Sequence, residues 1–271
     1  AVKIIDSAGP NARFYLWAFL SAVVILLNSV YPVFIAPLFN EYTELEAGPL
    51  RDRIEAVAAS HDIPAEHICV FDQSKQNKRI SANVSGLGPT IRISLNDNLL
   101  ERTGEDEILA VMGHEIGHYK LNHIWWIVGI MLGLFALGLF VTSRVAPVLI
   151  RRFGERWGVR EVGDPASLPV LAICLGLWML AMTPAQNSLI RWAESEADAF
   201  GLDAAREPDG FAKVAMRLSE YRKIEPGALE EMLFFDHPSG ATRVRMAMQW
   251  KADNLADPQM VVPDEGYLES E

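Results

Sequence analysis

His114 and His118 lie one helical turn apart, and Glu115 stands beside the first of them. On a helix, positions i and i+4 leave the same face, so both imidazoles point one way. Two histidines so placed can hold zinc while the neighbouring glutamate takes the proton of an attacking water. Catalytic zinc needs a third protein ligand and keeps one position open. The acidic run Arg191-Trp-Ala-Glu-Ser-Glu-Ala-Asp198 offers it, with Glu194 the best placed. Asp198, one turn further, is expected to accept a hydrogen bond from the outer nitrogen of a ligating histidine and so fix its tautomer. Glu196 points elsewhere and competes only weakly as a ligand. His237, at a loop–helix junction in Phe235-Asp-His-Pro-Ser-Gly240, could stabilise the oxyanion of a tetrahedral intermediate. Arg243 could hold Glu194 or Asp198 through a bidentate pair.

These groups must be positioned by helices, and the patterning supplies them. One long helix is expected from about Gly104 to Ser143, with Thr103 as its N-cap and Glu105, Asp106 and Glu107 favouring the helix dipole. Gly113 and Gly117 flank the histidines and would let another element come close, while Met112, Ile116 and Tyr119 pack the rest. Ile124 to Thr142 carries no charge, and Trp125 and Trp126 mark its entry into a bilayer. Phe14 to Phe34 and Leu168 to Leu189 are two further membrane candidates, each about the ~20 residues a bilayer crossing requires. In the first, Asn28 calls for a polar partner on another helix. In the last, Pro184 is expected to kink the helix or end its regular part. Ser143 to Ala166, with five arginines, is expected to be a connection able to form an interfacial amphipathic helix. A helix that enters the membrane after His118 and one that returns must deliver residues 191–201 to the side where the histidines stand. That topology is what selects Glu194.

The water-facing part opens at Leu38. Leu50 to Ala59 has helical periodicity, with Leu50, Ile54, Val57 and Ala58 on one stripe. Strand signals follow at Ile68–Phe71, Ile80–Ser85 and Thr90–Ser94, the last two bracketing Gly86-Leu-Gly-Pro89. They predict a small antiparallel sheet whose edge could hold an extended peptide by β-addition. Asn96 or Asn98 is expected to cap a short turn. An amphipathic helix over Pro208–Tyr221, a short one over Ala228–Phe235 and a helix carrying Arg243 complete the domain, and residues 251–271 form a flexible acidic tail.

The chain has 271 residues, half of them hydrophobic, and a formal charge of −11. That charge, and the lack of a basic aromatic surface, exclude a nucleic-acid partner. Cys69 and Cys174 fit neither a zinc knuckle nor a disulfide framework. The chain starts at Ala1 with no signal-peptide pattern, so a processed form or a fragment is expected.

The ordered series Ile35-Ala-Pro-Leu-Phe-Asn40, Leu50-Arg-Asp-Arg-Ile-Glu55, Asp72-Gln-Ser-Lys75, Asn83, His114-Glu-Ile-Gly-His118, Arg191-Trp-Ala-Glu194, Ala197-Asp198, His237-Pro238 and Arg243 resembles the Ste24-type CAAX prenyl endopeptidases of the M48 zinc metalloproteases. The resemblance implies one zinc ion per chain, held by His114, His118 and Glu194, with Glu115 as base. It also implies Asp198 behind the ligands, His237 and Arg243 lining the site, and Asn83 on the strand that holds substrate. It implies a mostly α, polytopic helical membrane protein with a gluzincin-like metalloprotease domain containing a small β-sheet. The expected organisation is an N-terminal segment and transmembrane helix (1–37) and a first protease part with the H-E-x-x-H helix (38–123). Two transmembrane helices and their connection (124–190), a second protease part (191–250) and the tail (251–271) follow. The family carries seven transmembrane helices around a chamber; three are read here, so the full-length protein would supply the others. The implied partners are the lipid bilayer and a peptide or prenylated peptide, cut near its C-terminus. Two alternatives share parts of this reading: an HtpX-like quality-control protease of membrane proteins, and a catalytically inactive membrane scaffold. The positive-inside rule would send the arginine-rich 144–160 stretch to the cytoplasm, whereas the family places the zinc domain there. The latter is adopted, because interfacial segments obey the rule poorly.

Overall fold

The fold is that of a computed structural model, which describes residues 12–86 and 90–255. The sequence-expected turn at 86–89 and the tail lie mostly outside the described residues. The chain forms two units, residues 1–30 with 125–189 and residues 31–124 with 190–271.

The first unit is helical. It contains α1 (Ala12–Val30) and the apolar stretches of two long helices, α5 (His123–Trp157) and α6 (Leu168–Ala205). α5 and the run Pro165–Ala205 containing α6 are long and apolar enough to cross a membrane, and only 6% of each apolar window is buried by protein. A soluble core helix would instead be covered on most sides. Among the described residues these two helices reach crossing length, and Phe14–Val30 is a shorter apolar helix. Within α1 the Asn28 amide donates to the Val24 carbonyl at 2.9 Å. Indole donors tie the helices together: Trp17 Nε1 to the Leu132 carbonyl at 3.0 Å and Trp178 Nε1 to that of Leu134 at 3.1 Å.

One expectation about these helices is refined. α5 runs on to Trp157, so the helical part of the connection from Ser143 continues the membrane helix without a break. At 1.5 Å per residue its 35 residues span roughly 50 Å, well beyond the ~30 Å of hydrocarbon, so its arginines mark where it leaves lipid without ending it. α6 continues through Pro184, so the proline does not end the helix.

Among the described residues the second unit holds a sheet, six α-helices and the end of α6. Its strands are β1 (Tyr42–Glu44), β2 (Ile68–Phe71), β3 (Ala82–Ser85) and β4 (Arg92–Asn96), in the order β1-β2-β4-β3. β1 pairs antiparallel with β2, and β3 antiparallel with β4, but β2 and β4 are parallel, with Ile68 opposite Ile93. The sheet is therefore mixed, not antiparallel. β3 takes one edge of β4 as a hairpin partner, which leaves β2 the other edge, reached by a crossover. β1 was not foreseen at all.

α2 (Pro49–Ala59), α3 (Asp97–Arg102) and α4 (Glu105–Lys120) pack with this sheet, and α7 (Pro208–Leu218), α8 (Ala228–Phe234) and α9 (Gly240–Asn254) complete the unit. Asn96 caps α3, its side chain accepting from the Leu99 amide at 2.9 Å. The core joins Ile54 and Ala58 of α2, Ile68, Ile93 and Leu95 of the sheet, and Ile108, Leu109, Met112 and Ile116 of α4. α4 is capped from Gly104, not Thr103: Thr103 donates its hydroxyl to the Leu99 carbonyl, and Glu107 accepts the Gly104 amide at 2.9 Å. Nor does α4 run into α5. The chain breaks at Leu121–Asn122, where Asn122 takes φ +54°, and α5 starts afresh at His123. Asparagine is one of the few side chains that tolerates this left-handed conformation. The last turn of α9 covers residues expected in the tail, with Lys251 buried and 2.7 Å from Asp209.

Candidate metal centre

At about 100° per residue, α4 presents three strips. Ile108, Met112 and Ile116 face the sheet core. Gly113 and Gly117 face the end of α6, where a Cβ on Gly117 would stand 3.1 Å from the Ala197 carbonyl oxygen. His114 and His118 form the third strip. The closeness of the two backbones at the glycine strip brings the charged turns of α6, beyond its apolar stretch, against the imidazoles.

The result is a compact ligand cluster. Nε2 of His114 lies 3.0 Å from Nε2 of His118. Glu194 places Oε2 3.4 Å from the first and Oε1 3.4 Å from the second. These three residues can hold a metal ion, their ligand atoms all lying within 4.8 Å of one another. Four donors around zinc at roughly 2.0–2.1 Å stand about 3.3 Å apart, so the spacing fits a tetrahedral site. Glu194 Oε2 is buried, and the Nε2 atoms of His114 and His237 stand 3.4 Å from it without completing a hydrogen bond. A buried carboxylate oxygen in that condition calls for a cation. The donor set and this unsatisfied oxygen both fit zinc.

Behind the cluster, His114 Nδ1 lies 2.7 Å from Asp198 Oδ1. Arg243 grips the same carboxylate with Nε at 2.9 Å and Nη2 at 2.5 Å, and its guanidinium lies over the Phe211 ring. Of the two partners the sequence left open for Arg243, the bidentate pair selects Asp198. Burial alone would lower the His114 imidazole, but the carboxylates of Asp198 and Glu194 outweigh it and push it up to about 10. Burial would also lower Arg243, and the Asp198 charge overrides that and raises it.

Glu115 lines a cavity of about 150 Å³ together with His114, Glu194, His237 and Arg243. Burial raises its carboxyl above the ordinary glutamate value. A base with a raised pKa is better matched to proton transfer near neutral pH. His237 turns Nε2 toward Glu194 Oε2 at 3.4 Å and Nδ1 toward Asp236 Oδ1 at 2.9 Å. The opposite wall is Ile80, Ser81 and Ala82, at the entry of edge strand β3. Asn83 pairs with Ser94 in the ladder and is not among the cavity's lining residues.

Three contributors escaped the sequence reading. Arg191 donates to the Glu231 carbonyl at 2.9 Å and also to that of Phe235, fastening the segment that leads to His237. An arginine three residues before Glu194 was the available signal. The other two are His123, 2.9 Å from His118 through their Nδ1 atoms, and Glu196, 3.4 Å from His123. An unbroken helix would have hidden both.

Residues 44–251 match the family described as Peptidase family M48. Residues 1–41 match one described as CAAX prenyl protease N-terminal, five membrane helices. The chain is 32% identical over 255 residues to a CAAX prenyl protease 1 homolog of Arabidopsis thaliana, covering 90% of this chain and 58% of that protein. It is 28% identical over 248 residues to an uncharacterized metalloprotease, YhfN, of Bacillus subtilis, with the same 90% and 58% covered. The crystal structure of Ste24p from S. mikatae superposes with a TM-score of 0.77 at 27% identity, over 91% of this chain and 61% of that one. The chain thus spans about 58% of the length of these curated relatives.

Proposed function

This chain belongs to peptidase family M48, and from that membership we propose that it is a membrane-embedded zinc endopeptidase that cuts prenylated CAAX-type substrates near their C-terminus. The observation that carries the chemistry is the His114–His118–Glu194 cluster, whose His114 and Glu194 line one cavity with Glu115. The preference for prenylated substrates is supported by the names of its relatives, such as the Arabidopsis thaliana homolog.

Zinc held by His114, His118 and Glu194 would acidify a water molecule and polarise the scissile carbonyl. Glu115 takes the proton of the attacking water and passes it to the leaving amine. His237, whose Nε2 lies 3.4 Å from the Glu194 oxygen that borders the cluster, stands beside the developing oxyanion. Asp198 and Arg243 hold His114 in place. The peptide lies extended along the free edge of β3, whose entry residues wall the cavity, with Asn83 on that strand. The isoprenoid lies in lipid or in an apolar space completed by further membrane helices of the full-length protein. The zinc domain faces the cytoplasm.

The test is a pair of peptides, one farnesylated at its cysteine and one not, given to zinc-loaded protein in detergent. Faster cleavage of the farnesylated peptide is expected. Equal cleavage of both would point to a broader quality-control protease. Bound zinc with cleavage of neither would leave a scaffold.

A further inference from the structure

The break between α4 and α5 has a chemical outcome. In a continuous helix, residue i+5 sits about 140° round the axis from residue i, and the two side chains do not meet. The left-handed turn at Asn122 folds His123 back onto His118 instead. Their rings meet edge to face, with centroids 5.0 Å apart, and the two Nδ1 atoms stand 2.9 Å apart. His123 is only 1% exposed, although it opens a helix that the chain sends toward lipid. Its other nitrogen, Nε2, lies 3.4 Å from Glu196 Oε2.

Two facing Nδ1 atoms can share only one proton. His118 directs Nε2 at His114 and Glu194, the ligand cluster, so its own proton sits on Nδ1. That N–H donates to His123 Nδ1, which must then be the bare nitrogen. His123 therefore carries its proton on Nε2, toward the Glu196 carboxylate.

We propose that His123, oriented by Glu196, is the positioning residue for the second histidine ligand, as Asp198 with Arg243 is for the first. The proposal rests on the reading of His118 as a zinc ligand. Each imidazole of the site then has its own support: Arg243–Asp198–His114 from α9 and α6, and Glu196–His123–His118 from α6 and the start of α5. Such outer partners fix the ring and raise its basicity, and losing one lowers metal affinity about 10- to 100-fold.

The test measures zinc affinity of the full chain in detergent, by competition with a chelator, and reads ring tautomers by ¹⁵N NMR. His123→Leu removes the acceptor and should weaken zinc binding about 10- to 100-fold. His123→Asn keeps an acceptor oxygen near the place of Nδ1 and should stay within about threefold of the parent, by the same reasoning. Glu196→Lys, on a half-exposed side chain, puts a donor where His123 needs an acceptor. It should weaken zinc binding without disturbing the core. In the parent with zinc bound, His118 should show its proton on Nδ1. Asn falling as far as Leu would reduce His123 to packing and overturn the proposal. Glu196→Lys matching the parent would also overturn it, and remains decisive if the Leu variant does not fold. A parent that binds no zinc would remove the site itself, and this inference with it.

Discussion

Gly113 and Gly201 touch backbone to backbone. A Cβ on Gly113 would stand 2.7 Å from the Gly201 carbonyl oxygen, and one on Gly201 would stand 2.7 Å from the His114 amide nitrogen. This contact sets how near the carboxylates of α6 come to the imidazoles of α4, because both helices are rigid over the few residues involved.

Gly201→Ala should therefore be costly even though alanine favours a helix by about 1 kcal/mol. The clash is with backbone, which cannot swing aside. A net loss of about 1–3 kcal/mol, with weaker zinc retention, is expected. Gly129→Ala, where a Cβ meets nothing within 4 Å, is the control and should be neutral or stabilising. Thermal unfolding in detergent with metal analysis checks both, and a Gly201→Ala protein as stable as its parent would refute the contact.

Glu115→Gln should separate binding from chemistry. The ligand set is untouched, so one zinc per chain should remain, while peptide cleavage falls about 10²- to 10⁴-fold. Substantial residual turnover by the purified variant would remove Glu115 from the role of base.

Asp198→Asn leaves the buried Arg243 guanidinium without its counter-charge. Breaking a buried pair from one side costs about 3–5 kcal/mol. Arg243→Lys keeps a charge but loses the fork that grips both oxygens, and should lose less stability. Chemical unfolding of the two variants should rank them in that order; equal losses would show that the paired geometry contributes nothing.

His114 supplies a pH dependence. Its pKa rises from 6.5 to about 10 in the folded protein. A raised value stabilises the fold fully below the unfolded value, and that contribution is lost as pH climbs through the folded one. Chelator-treated protein should therefore lose thermal stability between about pH 6.5 and about pH 10. Zinc-loaded protein should hold its stability over the same range, because the ion takes the proton's place. Parallel curves with and without zinc would rule out His114 as the shared binding point.

Much of the site was legible because its signals are local or follow from chain order. The i, i+4 spacing of His114 and His118 fixes a common face, and two apolar helices that leave and return oblige the second to bring Glu194 back. A cap at Asn96 or Asn98 and the packing of Met112, Ile116 and Tyr119 were equally readable, since each depends on a few neighbouring residues. Partners across the chain were not. Periodicity marks β2 and β4 as strands but says nothing of which edge each takes, so their parallel pairing emerged only with the fold. Arg243 had two candidate carboxylates in the sequence, and only the folded chain shows its fork on Asp198. Asn122 was the hardest case: asparagine is acceptable both inside a helix and in a left-handed turn, and the preference of a single residue is too small to decide. The decision falls to the tertiary contacts of His123 with His118 and Glu196, which exist only once α4 and the end of α6 are already side by side.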